Sequence, residues 1–287
     1  MKLKRVIALF LVCVLLVLLC SCDGVGARVA APEEGEVHIT FLDVGQADCA
    51  LIRTSDTVIV VDTGAVDSNG AVLASYLRRS GIDRIDLLVL SHPHEDHVGG
   101  APTLLREFDV AACLMPDLLE DSAVFRETVA ALGDEDCEVT RAFAGVVSEH
   151  GDLTVEVLSP TREFYSTVND ACAVVRVRFG EFSVLFMGDA SETVEKELVD
   201  LYKDDLKADI LKVAHHGSSS STSAAFLFAV MPRYAAISCA AGNEYGFPHI
   251  EVLARLASVG TEVYRTDTEG TITFCAKDGG LFVMKKD

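Results

Sequence analysis

Ile85-Asp86-Leu87-Leu88-Val89-Leu90 leads straight into Ser91-His92-Pro93-His94-Glu95-Asp96-His97, followed by Val98-Gly99-Gly100. The apolar run is of the kind expected for a strand buried on both faces. Three of the chain's eight histidines, His92, His94 and His97, then fall within six residues. Imidazole is a good ligand for zinc-like ions. A tight turn after a strand lets His92 and His94 face one ion while Asp96 and His97 face another. Pro93 stiffens that turn, and Gly99-Gly100 allows a close backbone approach. The segment predicts a metal site at a strand end.

Two later stretches repeat the arrangement. The run 182–187 delivers Gly188-Asp189, and the run 210–214 delivers His215-His216-Gly217-Ser218. A carboxylate at Asp189 can bridge two ions; taken alone it reads equally well as the cap of the next helix. The Gly-Ser-rich turn 217–221 presents backbone N–H groups to an anion, which makes His216 and Ser218 candidates for substrate contact.

Around these points the pattern is mixed. Short β-rich runs at 37–42, 49–53 and 57–61 predict a meander, and a helical spacing over 70–80 stops at Gly81. Further helices are expected over 101–108, 122–131, 191–202, 223–230 and 250–259. Strands are expected at 110–114, 137–141, 153–158, 210–214, 235–239, 262–264, 271–275 and 281–284. The runs 173–179 and 182–187, joined by Gly180-Glu181, predict a hairpin. Glu149-His150-Gly151-Asp152 reads as a turn. The mixture predicts an α+β fold, two packed sheets with helices outside.

The 287 residues are 50% hydrophobic and 24% charged, enough for a substantial core and inconsistent with a disordered tail or a fibre. With 24 basic and 44 acidic side chains the net charge is −20, so a broad basic surface for nucleic acid is absent. Any such chemistry must be local, and Lys212, Arg233 and Arg265 are the candidates for a basic rim. Cys49, Cys113, Cys137, Cys172, Cys239 and Cys275 are open to pairing or to core packing, and six cysteines allow 15 connectivities.

The first residues read as a targeting segment. Lys2, Lys4 and Arg5 precede an apolar run over 6–19, and Leu19-Cys20-Ser21-Cys22 closes it. This resembles a bacterial lipoprotein signal, which implies cleavage of residues 1–21, a lipid on Cys22 and an extracytoplasmic protein anchored to the membrane. A plain secretory signal is the alternative. Residues 22–36 read as a linker and 37–287 as one domain. Loss of Lys2, Lys4 and Arg5, with no acid, moves the net charge from −20 to −23.

Taken together, Phe41-Leu42-Asp43-Val44-Gly45-Gln46-Ala47-Asp48, Asp62-Thr63-Gly64, the His92 to His97 motif, Gly188-Asp189 and Leu211-Lys212-Val213-Ala214-His215-His216-Gly217-Ser218 resemble the hydrolase domain of ComEC-type competence proteins, of the metallo-β-lactamase fold. The likeness runs over roughly 37–285. It implies an αββα four-layer sandwich with two divalent ions, Zn or Mn, at one edge of the sheets. By resemblance His92 and His94 hold one ion, Asp96, His97 and His215 the other, and Asp189 lies between them. Asp96 would orient or deprotonate the attacking water, while Asp43 and Asp62 would support the histidines. The superfamily often supplies a third histidine to the first ion from between His97 and Asp189, where the only histidine here is His150; this branch carries Asn at Asn169, a candidate for substrate contact. Cys172 stands where this branch commonly has Ser. Phe247 replaces the histidine of a Tyr-Gly-His-Pro stretch, and His249 is the candidate to substitute for it at the substrate.

The expected activity is metal-dependent hydrolysis of a phosphodiester, with single-stranded DNA one candidate substrate. Hydrolysis of a small lactone, thioester or β-lactam is a second reading. A non-catalytic accessory lipoprotein of a DNA-uptake or envelope system is a third.

Overall fold

The computed structural model describes residues 29–284 apart from 67–69, 119–120 and 135–136. The signal segment 1–21, Cys22 and the linker as far as residue 28 lie outside the described residues. The strands of the first half are β1 (Glu36–Phe41), β2 (Ala50–Arg53), β3 (Val58–Val61), β4 (Arg84–Ile85), β5 (Leu87–Val89), β6 (Asp109–Val110), β7 (Ala112–Met115) and β8 (Glu138–Arg141). Then come β9 (Val147–His150), β10 (Leu153–Ser159), β11 (Val174–Phe179), β12 (Phe182–Phe186), β13 (Ile210–Lys212), β14 (Tyr234–Ile237), β15 (Glu262–Arg265), β16 (Ile272–Lys277) and β17 (Gly280–Met284).

One sheet has the order β17-β16-β1-β2-β3-β5-β7-β8, and a second runs β15-β14-β13-β12-β11-β10-β9. Along β1, Val37, Ile39 and Phe41 alternate into the space between the sheets, as a period of two requires. Phe41 of the first sheet meets Phe186 of the second at 5.9 Å, and Phe274 meets Tyr234 at 5.3 Å. The other face of the first sheet packs Leu51, Val60 and Leu88 against the helices Ala71–Arg79 and Ala101–Glu107. The other face of the second packs Leu185, Leu211 and Ala235 against Glu192–Tyr202, Ala224–Val230 and Ile250–Ser258. This is the expected αββα sandwich. Among the described residues no helix is long and apolar enough to cross a membrane. All six described cysteines are free thiols.

Two local differences have clear causes. The run 85–90 is divided at Asp86, where the side-chain carboxylate rather than a backbone carbonyl accepts the Val58 N–H at 2.8 Å. Strand β4 then pairs with β6 in a small separate sheet. Strand β9 was not expected: it is an edge strand whose Val147 and Glu149 are exposed, so its sequence carries no buried stripe. Its end forms the predicted turn, and His150 bonds Ser148 there, on the edge strand.

Candidate metal centre

The centre forms where strands of both sheets end. After β5, Ser91 is held by Asp62, whose two oxygens accept the Ser91 N–H and hydroxyl at 2.8 Å each. With its hydroxyl proton so committed, Ser91 Oγ can accept from His92 Nδ1, 3.0 Å away. That leaves His92 Nε2 as a lone pair, 3.0 Å from Nδ1 of His94. Two basic nitrogens that close suit a shared cation. His97 Nδ1 donates to Asp62 at 2.8 Å, so its Nε2 faces the centre; against the cost of burial, the Asp189, Asp62 and Asp96 carboxylates raise its pKa well above the usual histidine value. The helical turn Glu95–Val98 that carries Asp96 and His97 sits tightly on the chain after β3. A Cβ on Gly99 would lie 2.3 Å from the Ala65 carbonyl carbon. The expected role of Gly99-Gly100 is borne out.

From the second sheet, β12 delivers Asp189, which is 3% exposed. One oxygen lies 3.3 Å from His97 Nε2, and the other 3.7 Å from both His92 Nε2 and His215 Nε2. Strand β13 delivers the paired histidines. Both take left-handed backbone conformations, His215 at φ 50° and His216 at φ 53°. Side chains there cost about 1–3 kcal/mol each, a strain that persists only when the surroundings impose it. The result swings His216 inward. Its Nδ1 donates to the Ser238 carbonyl at 2.9 Å, and its Nε2 lies 3.1 Å from Asp96.

Two ligand groups result: His92, His94 and Asp189, and beside them Asp96, His97 and His216. The structure therefore puts His216 where His215 was expected. His215 instead faces the cleft, with its side chain 30% exposed. The donor set fits two divalent ions. His97 Nε2 and Asp189 Oδ1 are both buried without a hydrogen-bond partner, which costs free energy unless something fills the gap between them. The ionisation pattern agrees. Burial opposes charge on Asp189, yet the facing rings of His97, His92 and His216 hold its carboxyl well below the usual range. Burial likewise pushes Asp96 up, but the His97 charge and the His216 bond hold it at about 2. Burial and the neighbouring His97 keep His92 far below the usual histidine value, and so neutral.

Several expectations are corrected. Among the described residues Asp43 supports no histidine: its N–H donates to Thr271, and its carboxylate accepts the Gly45 N–H in its own turn, at 3.4 Å. Asp48, passed over in the sequence, is the carboxylate that lies near a histidine, although the His216 Nδ1 proton goes to the Ser238 carbonyl. It is 3% exposed, 3.3 Å from His216 Nδ1, and 2.7 Å from Nζ of the buried Lys212. Lys212 is thus no rim residue. Arg233 covers the Tyr234 ring, and Arg265 pairs with Asp267. His249 accepts the Ser219 N–H at 2.9 Å at the start of the helix Ile250–Ser258, behind Phe247 and outside the cleft lining. Ser218 bonds Ser220, likewise outside it. Cys172 packs in the core with its thiol toward the Met187 carbonyl. Asn169 does reach the cleft wall.

That cleft has a volume of about 830 Å³. Gln46, Glu95, Asn169 and Asn243 supply polar groups, and Val66, Tyr245 and Phe247 an apolar wall. The last two rings stack at 5.3 Å with an 18° tilt. No Lys or Arg lines it among the described residues.

Comparison with known proteins adds the following. The profile of the "Metallo-beta-lactamase superfamily" matches residues 42–241. ComE operon protein 3 of Bacillus subtilis (strain 168) is 30% identical over 262 residues, 85% of this chain and 33% of that protein. Competence protein ComA of Neisseria gonorrhoeae is 30% identical over 90% of this chain and 35% of its own length. Recombination protein 2 of Haemophilus influenzae (strain ATCC 51907 / DSM 11121 / KW20 / Rd) is 32% identical over 82% of this chain and 28% of its own. The chain spans about a third of the length of these relatives. Two solved structures share the fold. CmlA, a diiron β-hydroxylase from Streptomyces venezuelae, has a TM-score of 0.58 at 16% identity, over 84% of this chain and 54% of that one. The metallo-β-lactamase fold protein YhfI from Bacillus subtilis has a TM-score of 0.52 at 14% identity, over 86% of this chain and 100% of that one.

Proposed function

The chain belongs to the metallo-β-lactamase superfamily and is a metallohydrolase, and from that premise we propose that its substrate is a phosphodiester. The carrying observation is that two ligand groups stand side by side at the floor of an open cleft, with the buried Asp189 of the first reaching to 3.3 Å from His97 Nε2 of the second. Two divalent ions held there would acidify a water and polarise a phosphoryl group, the pairing that suits in-line displacement. His92 and His94 would hold one ion, Asp96, His97 and His216 the other. The imidazole and carboxylate donors suit Zn²⁺ or Mn²⁺.

The remaining steps fall to side chains. Asp96, kept ionised by His97 and His216, orients the water whose oxygen bonds phosphorus. As the ester P–O bond breaks, His215 on the cleft wall is placed to hydrogen-bond the leaving oxygen. Asn169 reaches the same space and can hold a non-bridging oxygen. The stacked Tyr245 and Phe247 offer a face for a flat group beside the phosphate, such as a nucleobase. The competence and recombination names of the relatives favour single-stranded DNA as the natural diester. With no Lys or Arg in the cleft, the grip is confined to the few bonds nearest the ions. The reading also places the protein outside the cytoplasm, anchored through a lipid on Cys22; the motif around that cysteine supports this.

The test is hydrolysis of bis-p-nitrophenyl phosphate and single-stranded DNA by the full chain with Mn²⁺ or Zn²⁺. Turnover should vanish on chelation and fall at least about a hundredfold in Asp189→Ala and His94→Ala, since loss of mere supporting groups already costs that much. A chain that binds two ions and cleaves lactones or thioesters but neither diester would overturn the substrate class.

A further inference from the structure

We propose that Glu36, His38 and Cys275 form a separate site for one borderline-soft divalent ion such as Zn²⁺, at the opposite end of the first sheet from the cleft. In the antiparallel pairing of β1 with β16, His38 stands directly opposite Cys275. Glu36, two residues earlier, shares their face of the sheet. Glu36 Oε1 lies 2.9 Å from Cys275 Sγ and 3.4 Å from His38 Nε2. Ligand atoms around a tetrahedral zinc stand roughly 3.3–3.8 Å apart, from bond lengths near 2.0–2.3 Å. The three atoms are therefore near ligand spacing already. Five residue steps along β1 lead from Glu36 to Phe41 at the cleft end, roughly 17 Å of strand.

The hydrogen bonds present do not account for the group. A thiol that donates to Glu36 satisfies those two side chains and leaves the imidazole out. His38 is 9% exposed, and its Nε2 is buried with no hydrogen-bond partner although it points at the other two. Burial, opposed by the Glu36 carboxylate and aided by the nearby Arg53 guanidinium, holds His38 below its usual pKa. Burial and the Glu36 carboxylate push the Cys275 thiol up to about 12, so it keeps its proton until an ion arrives. Binding then forms a metal–sulfur bond and releases that proton to solvent. Glu36 and the thiolate together cancel the ion's two charges, which offsets the repulsion from Arg53. A thiolate and an imidazole select against Mg²⁺ and Ca²⁺. Glu36 Oε2 already accepts the Glu33 N–H at 2.8 Å, so the fourth position falls to water. The ion would clip the first strand of the domain to one of its last.

The experiment loads the metal-free full chain with Co²⁺, following the stoichiometry and the near-ultraviolet thiolate-to-cobalt charge-transfer band. Wild type should take three equivalents and show the band. Cys275→Ser and His38→Gln should each take two and lose it, while their metal-dependent hydrolysis is retained. Cys172→Ser, in the core of the second sheet, should keep the band. Two equivalents in wild type, or a band that survives Cys275→Ser, would overturn the proposal. His38→Gln provides the reading if the serine variant folds poorly. Because the signal is the sulfur–metal band, the result is independent of which substrate the cleft accepts.

Discussion

Asp62 and Asp43 were expected to do the same job, and the structure gives them opposite fates. Asp62 is buried and holds both Ser91 and His97, which fixes which His97 nitrogen faces the centre. Replacing it with Asn keeps the shape but loses the anion that orders the ring. Asp62→Asn should weaken metal binding about 10–100-fold, as for other groups behind a ligand. Asp43 is exposed, so Asp43→Ala should change affinity by less than about twofold. Competition against a chromogenic chelator measures both; equal losses would show that the carboxylates act alike. His92, His94, Asp96, His97 and Asp189 were legible as a set because strand ends place them in predictable directions. The choice between His215 and His216 was not, since two successive left-handed residues decide it and neither is glycine. Asp48 escaped notice for a similar reason. Only the curl of the turn before β2 turns it, rather than Asp43, toward Lys212 and His216.

Elements position the ligands through contacts that leave no room for a side chain. The Glu95–Val98 turn is fixed where the Thr63 hydroxyl donates to the His97 carbonyl at 2.9 Å and accepts the Gly100 N–H at 3.2 Å. Gly99 has ordinary helical angles, so its requirement is space rather than conformation. Gly99→Ala should cost about 1–3 kcal/mol, the usual penalty of overpacking, and should lower metal occupancy by moving Asp96 and His97 together. Urea unfolding in chelator and metal analysis of the folded protein read the two effects. A stable variant with full occupancy would refute the steric account. Most strands and helices were legible because their apolar residues alternate or recur at helical spacing. The exceptions were set by partners rather than pattern: Asp86 bonds across to Val58, and β9 borrows its order from β10.

For the whole molecule, the class of fold followed from the mixture of patterns, but the strand order did not. Strand β16 returns from the far end of the chain to pair with β1, and no local signal announces a contact over that separation. The lipid proposed for Cys22 would also be a property of the whole, because it would decide where the domain is held. In bacterial cells the full chain should fractionate with membranes, and Cys22→Ala should release it to the soluble fraction. An unchanged distribution would point to a retained apolar segment instead. The centre joins the two sheets, with His92, His94, Asp96 and His97 from the first and Asp189 and His216 from the second. That division carries a temporal meaning. A ribosome makes the histidine cluster early and Asp189 and His216 about a hundred residues later, at rates that leave several seconds between them. The nascent chain therefore carries half a centre and cannot cut anything around it. Hydrolytic power arrives only when the later sheet has been made and has closed over the earlier one.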